Sequence, residues 1–133
     1  MATTQQALQI TSIIPSFTVD DLQTSIAFYE ALGFTVGERW EDNGALLGVM
    51  LGAGETQIGL SQDDWKKGRD RKKGVGVRLF LATTRNVDEI AARAKSAGLK
   101  LESEPHDTEW KSRAFEITDP SGFLLTISSE MPA

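Results

Sequence analysis

Asp20-Asp21-Leu22-Gln23-Thr24-Ser25-Ile26-Ala27-Phe28-Tyr29-Glu30-Ala31-Leu32-Gly33 returns in altered form as Asn86-Val87-Asp88-Glu89-Ile90-Ala91-Ala92-Arg93-Ala94-Lys95-Ser96-Ala97-Gly98. Each stretch opens on a side chain that caps a helix N-terminus and closes on a glycine that ends one. Between them, Leu22, Ser25, Ile26, Tyr29 and Leu32 fall at helical spacing, as do Val87, Ile90, Ala91, Ala94 and Ala97. Asp21 and Asn86 stand 65 positions apart, and so do Gly33 and Gly98. The same offset at both ends marks an internal duplication.

Working outward, each helix follows a strand-like stretch: Ile10–Val19 before the first and Val75–Ala82 before the second. Three more such segments follow each helix. In the first half they are Phe34–Glu41, Ala45–Leu51 and Thr56–Ser61, with Asn43-Gly44 turning the first pair. In the second half they are Leu99–Glu104, Arg113–Thr118 and Phe123–Ser128, with Asp119-Pro120-Ser121-Gly122 as the last turn. The expected architecture is one α+β domain of two strand-helix-strand-strand-strand modules, at about residues 9–64 and 75–129. Lys66–Gly74 joins them. Six of those nine residues are basic, and the expectation is a solvated linker.

With 133 residues, the chain is the size of one domain, since these cluster at roughly 100–150 residues. Hydrophobic residues at 40% suffice for a core, and no apolar run approaches the roughly 20 residues of a bilayer span. The start Met1–Gln6 has neither the basic nor the apolar part of a signal peptide, and there are no cysteines. These features lead us to expect a cytoplasmic protein. The net charge of −5 disfavours phosphate backbones, so neither nucleic acid nor a membrane is an expected partner.

Val19-Asp20-Asp21-Leu22, Ser25–Tyr29 and Leu32-Gly33-Phe34 resemble the first-module signature of the glyoxalase / bleomycin-resistance / dioxygenase superfamily, the vicinal-oxygen-chelate fold. Val87–Ile90 with Ala97-Gly98 resembles its second helix. Trp110, Arg113-Ala114-Phe115 and Asp119–Phe123 resemble its closing hairpin. The similarity runs from about Ile10 to Ile127. It implies a curved mixed sheet with helices on the convex side, a ligand on the concave side, and a homodimer.

Enzymes of this family hold a divalent metal through His, Glu or Gln at four strand positions. Carried over by spacing, those positions are Ile14, Gly59, Val77 (or Leu79) and Thr126. Aliphatic side chains and glycine offer no ligand atom, and one hydroxyl is too weak alone, so no metal and no cofactor are expected. Glu104, His106, Asp107 and Glu109 cluster elsewhere, in what reads as a solvated loop. No catalytic residue is assigned: cysteine is lacking, and Glu38 and Glu116 read as water-facing strand carboxylates. The resemblance then points to the branch that binds and sequesters small molecules, antibiotics among them. The alternative is a lyase, isomerase or dioxygenase of the same superfamily with relocated catalytic or metal residues.

Alternation places Ser12, Ile14, Ser16 and Thr18, then Gln57, Gly59 and Ser61, then Leu124, Thr126 and Ser128 on the ligand face. That face reads as nearly uncharged. Trp40, Trp65 and Trp110 are candidate aromatic contacts at its rim, and Arg113 a candidate charge. The expected ligand-binding set is Trp40, Gln57, Gly59, Trp65, Trp110, Arg113 and Thr126.

Overall fold

In the computed structural model, residues 7–130 are described. The N-terminal reading of Met1–Gln6 lies outside them. The elements are β1 (Ser16–Val19), α1 (Leu22–Leu32), β2 (Thr35–Asp42), β3 (Ala45–Ala53), β4 (Thr56–Gln62), β5 (Arg78–Thr83), α2 (Val87–Ser96), β6 (Ser103–Asp107), β7 (Ser112–Thr118) and β8 (Leu124–Glu130). They form two four-stranded sheets, ordered β1-β4-β3-β2 and β5-β8-β7-β6. In each, the first strand pairs parallel with the last and the rest run antiparallel. The duplication read from helix caps is therefore also a duplication of strand order.

Both caps act as expected. The Asp21 carboxylate accepts from Thr24 N at 3.1 Å, and Asn86 Oδ1 accepts from Glu89 N at 3.1 Å. Gly33 closes α1 at φ 110°, a conformation that a side chain would strain. Leu22, Ile26, Tyr29 and Leu32 bury one face of α1 over Val49 and Leu51 of β3 and Ile58 and Leu60 of β4. Val87, Ala91 and Ala94 of α2 cover Phe115, Ile117, Leu125 and Ile127. The small alanines bring α2 close enough to α1 for Arg93 to donate to Glu30 O at 3.1 Å. Among the described residues no helix is long and apolar enough to cross a membrane.

The modules are tied by polar bonds from distant parts of the chain. Tyr29 Oη in α1 donates to Asp119 Oδ2 at 2.8 Å. The other carboxylate oxygen, Oδ1, accepts from the backbone of Ser121, Gly122 and Phe123, which fixes the Asp119–Gly122 turn. Ser121 Oγ accepts from Asp20 N at 2.9 Å. Phe17 and Phe123 stack across the same boundary, with centroids 4.2 Å apart. Burial, reinforced by the Asp119 carboxylate, drives the Tyr29 hydroxyl pKa well above the usual phenol range.

Four expectations need correction. The first strand begins at Ser16 rather than Ile10: Pro15 has no N–H to continue a ladder, and Ile10, Ile13 and Ile14 do not alternate. Ser12 and Ile14 thus precede the sheet. The fifth strand begins at Arg78, after a loop in which Gly74 and Gly76 take positive φ. The sixth strand is Ser103–Asp107 rather than Leu99–Glu104, so His106 and Asp107 belong to a strand rather than a loop. Finally, the linker is docked, not merely solvated. The Lys73 side chain is only 6% exposed and pairs with Asp20 and with Asp63, the latter at 2.9 Å. Arg71 joins Asp63 at 2.9 Å.

Candidate ligand-binding face

Pairing register decides which side chains share the helix-free face of each sheet. In the first module Gly48 lies opposite Ser61 and Trp40, and Gly59 lies opposite Ser16 and Met50. Their neighbours Val49, Leu51, Ile58, Leu60 and Phe17 point the other way, into the core. The glycines have a packing reason. A Cβ on Gly48 would sit 3.2 Å from Trp40 Cε3 and 3.0 Å from Leu60 O, so the indole ring lies over bare backbone. A Cβ on Gly59 would come within 2.9 Å of Ser16 Oγ and 3.4 Å of Met50 Sδ. Trp40 nevertheless stays 45% exposed on that face.

In the second module Phe80, Thr126 and Glu116 form one row across β5, β8 and β7. Ala82, Ser128 and Ala114 form the next row. Leu79 and Leu81 pack on the core instead. The fifth-strand parity is therefore opposite to the expectation: Val77 lies before the strand, Leu79 is turned to the helices, and Arg78 and Phe80 face out. Phe80 is 56% exposed. Arg78 Nη2 approaches Glu116 Oε2 at 3.3 Å, and Thr126 Oγ1 lies 3.5 Å from the same oxygen. The face carries a charge pair and is not nearly uncharged.

The expected ligand set separates into three groups. Trp40, Gln57 and Gly59 share the open face of the first module, and Thr126 lies on that of the second. Trp110 is 69% exposed within the β6–β7 turn. Trp65 and Arg113 are engaged elsewhere. Trp65 takes φ 62°, and its ring is faced by Arg69 Cζ and Lys73 Nζ, each 4.7 Å from the centroid. Arg113 holds Asp88 of α2 through Nε and Nη2, at 2.7 and 2.9 Å, and Asp107 through Nη1 at 2.8 Å. Those bonds, from Asp88 first, raise the guanidinium pKa and lower that of Asp88. Sequence reading missed Phe80, Met50 and the placement of Arg78 and Glu116. The signal was the buried pair Leu79 and Leu81, which sets the parity of β5.

The metal implied by the resemblance can be tested against these residues. The strand neighbours of Gly59 and Thr126 are Ser16 and Phe80. A serine, a glycine, a phenylalanine and a threonine do not make a divalent-metal site. Among the described residues no group of three His, Cys, Asp or Glu side chains converges. Glu104 pairs with Lys95 at 2.7 Å, while His106 Nδ1 meets Glu104 O at 2.9 Å. The residues present do not fit the family metal.

Two shallow recesses lie at the linker. One, of ≈ 270 Å³, is lined by Thr18, Arg71, Lys72, Lys73, Gly74 and Phe123. The other, of ≈ 230 Å³, is lined by Thr18, Gln62, Asp63, Asp64, Lys67 and Arg71. Both border the Asp63 ion pairs, which hold that carboxyl down to about 2: the Lys73 hydrogen bond first, then Trp65 N and Arg71. Burial works against the Lys73 charge, but its bonds to Asp20 and Asp63 prevail and raise its pKa. Arg71 and Lys73 are already committed to these ion pairs, so the open sheet faces are the better ligand candidates.

Comparison with known proteins agrees with this architecture. Hypothetical protein SA1046 from S. aureus superposes with a TM-score of 0.71 at 22% identity, over 91% of this chain and 95% of that one. Virulence protein STM3117 from Salmonella typhimurium gives 0.67 at 24%, over 93% and 100%. A glyoxalase/bleomycin resistance protein/dioxygenase from Nocardioides gives 0.67 at 18%, over 98% and 88%. At these identities the likeness establishes the fold alone. No curated protein sequence matches the chain. The family model for the Glyoxalase/Bleomycin resistance protein/Dioxygenase superfamily matches residues 9–127, and the chain belongs to that superfamily.

Proposed function

We propose that the chain is a metal-free binding protein that sequesters a small aromatic or cationic molecule, in the manner of the bleomycin-resistance branch and with antibiotics among the candidate ligands. One observation carries the reading: both modules present an aromatic side chain on the helix-free face, Trp40 at 45% exposure and Phe80 at 56%. Aromatic side chains beside a few placed polar groups are the usual lining of a small-molecule site. Around them lie hydroxyls and glycines, which offer hydrogen bonds and close approach. The net charge of −5 favours a cation at low salt.

A homodimer belongs to the same proposal. Ile14 and Val77 are 44% and 51% exposed in the single chain, and a second copy would shield them and bound the open face from its rim. Light scattering that reads 14.5 kDa at every concentration refutes the dimer. The test of binding is a tryptophan-fluorescence titration with bleomycin-type glycopeptides, polyaromatic cations and neutral aromatics. Trp40→Ala or Phe80→Ala should weaken any binding found while leaving the circular dichroism unchanged. If no compound shifts the emission at millimolar concentration, the reading fails.

A further inference from the structure

The second module's open face holds more than a greasy patch. Phe80, Thr126 and Glu116 lie in one row across adjacent strands, and Arg78 is two residues before Phe80 on the same side of β5. Strands lie about 4.8 Å apart and alternate residues about 6.7 Å apart, so Arg78 stands about 6.7 Å and Glu116, two strands over, about 9.6 Å from Phe80, backbone to backbone. The pair is loose. Arg78 meets Glu116 through one nitrogen and one oxygen at 3.3 Å, and the two side chains stay 57% and 31% exposed. A guanidinium has five N–H donors, and among the described residues the Arg78 guanidinium and Glu116 Oε1 make no hydrogen bond, so most of the pair's capacity is open to a ligand.

A ligand carrying one charge would satisfy one partner and draw it away from the other. A ligand carrying both charged groups on one carbon exchanges one loose pair for two charge-assisted ones. We propose that Arg78, Glu116 and Phe80 form a subsite for an aromatic zwitterion: a planar ring on a short spacer bearing a carboxylate and an ammonium. The carboxylate pairs with Arg78, the ammonium with Glu116, and the ring stacks on Phe80. Thr126 Oγ1, 3.5 Å from Glu116 Oε2, steadies the acidic side. The inference rests on the binding reading above and narrows its ligand class.

The experiment uses the full chain and four probes of one ring and graded charge: L-phenylalanine, L-phenylalaninamide, 3-phenylpropionate and benzyl alcohol. Binding is read by amide chemical-shift titration. L-phenylalanine should bind tightest, and Arg78→Ala and Glu116→Gln should each weaken it about tenfold, the effect of losing one charge-assisted bond near the surface. Neither change should alter binding of benzyl alcohol. Arg78→Lys and Glu116→Asp serve if a first variant does not fold, and each should lose part of the preference. If L-phenylalanine binds no better than the amide or 3-phenylpropionate, or if the variants bind it as the native chain does, the zwitterion subsite is refuted while aromatic binding stands. If none of the four shifts a resonance at millimolar concentration, the subsite is refuted too. The glycopeptide and polyaromatic titrations then decide the wider reading separately.

Discussion

Tyr29→Phe isolates one hydrogen bond between the modules. The ring is fully buried, packed edge-on against Phe28 at 4.9 Å and Phe34 at 5.4 Å, and phenylalanine keeps those contacts. What disappears is the hydroxyl that donates to Asp119 Oδ2 at 2.8 Å. Asp119 is 3% exposed, so water cannot readily replace the lost donor. Its other oxygen is already occupied by three backbone N–H groups at 2.9 to 3.0 Å. A hydrogen bond to a charged group contributes about 1.5–3 kcal/mol net, and the loss of this one falls within that range. The expected loss is about 2 kcal/mol. For a domain of this size that corresponds to a fall in Tm of about 6–10 °C. Urea denaturation followed by tryptophan emission should show a lower midpoint at an unchanged m-value, because the same surface is exposed on unfolding. A loss under about 0.5 kcal/mol would refute the reasoning, since it would mean that the Asp119 turn holds the modules without help from α1.

Asp63 has its pKa depressed to about 2, so its contribution is complete above the unfolded carboxyl value of about 3.9 and is lost as pH falls through about 2. Acid titration should therefore release the linker, read as a change in Trp65 emission, and Asp63→Asn should remove that acid-dependent component. Ser25 is fully buried in α1 and, among the described residues, its hydroxyl has no hydrogen-bond partner. Ser25→Ala should raise stability by about 0.5–1 kcal/mol, through helix propensity and a relieved polar group, and a lower urea midpoint would show a hidden partner. Gly48→Ala places a methyl 3.0 Å from a backbone oxygen and 3.2 Å from the Trp40 ring, so it should displace the indole. A red-shifted emission with weakened aromatic binding is the expected result, and an unchanged spectrum would count against the placement of Trp40.

The fold was largely legible because its signals are local. Asp21, Asn86, Gly33 and Gly98 state where helices begin and end, and Asn43-Gly44 states a hairpin. The ligand face was less legible because it depends on register and on long-range partners. Val75, Val77, Leu79 and Leu81 alternate without a break, yet the strand starts at Arg78, and only burial of Leu79 and Leu81 tells the faces apart. Arg113 reads as an available charge until the fold brings Asp88, 25 residues away, beside it. The linker's lysines read as solvated because nothing near Lys73 in the chain announces that Asp20 and Asp63 will enclose it. Charge runs reveal composition, and pairing reveals position.

The separation of the two sheets has a consequence for how the chain folds. Every ladder of the first sheet joins residues between Ser16 and Gln62, and every ladder of the second joins residues between Arg78 and Glu130. The bonds that cross are distant: Tyr29 to Asp119 spans 90 residues and Asp20 to Ser121 spans 101. Loop-closure entropy opposes such contacts until each half has formed its own framework, so docking of the halves is expected as the late step. Mutations at the seam should then hasten unfolding far more than they slow folding, giving Tyr29→Phe a φ-value near zero. A value near one would instead place the seam in the folding nucleus.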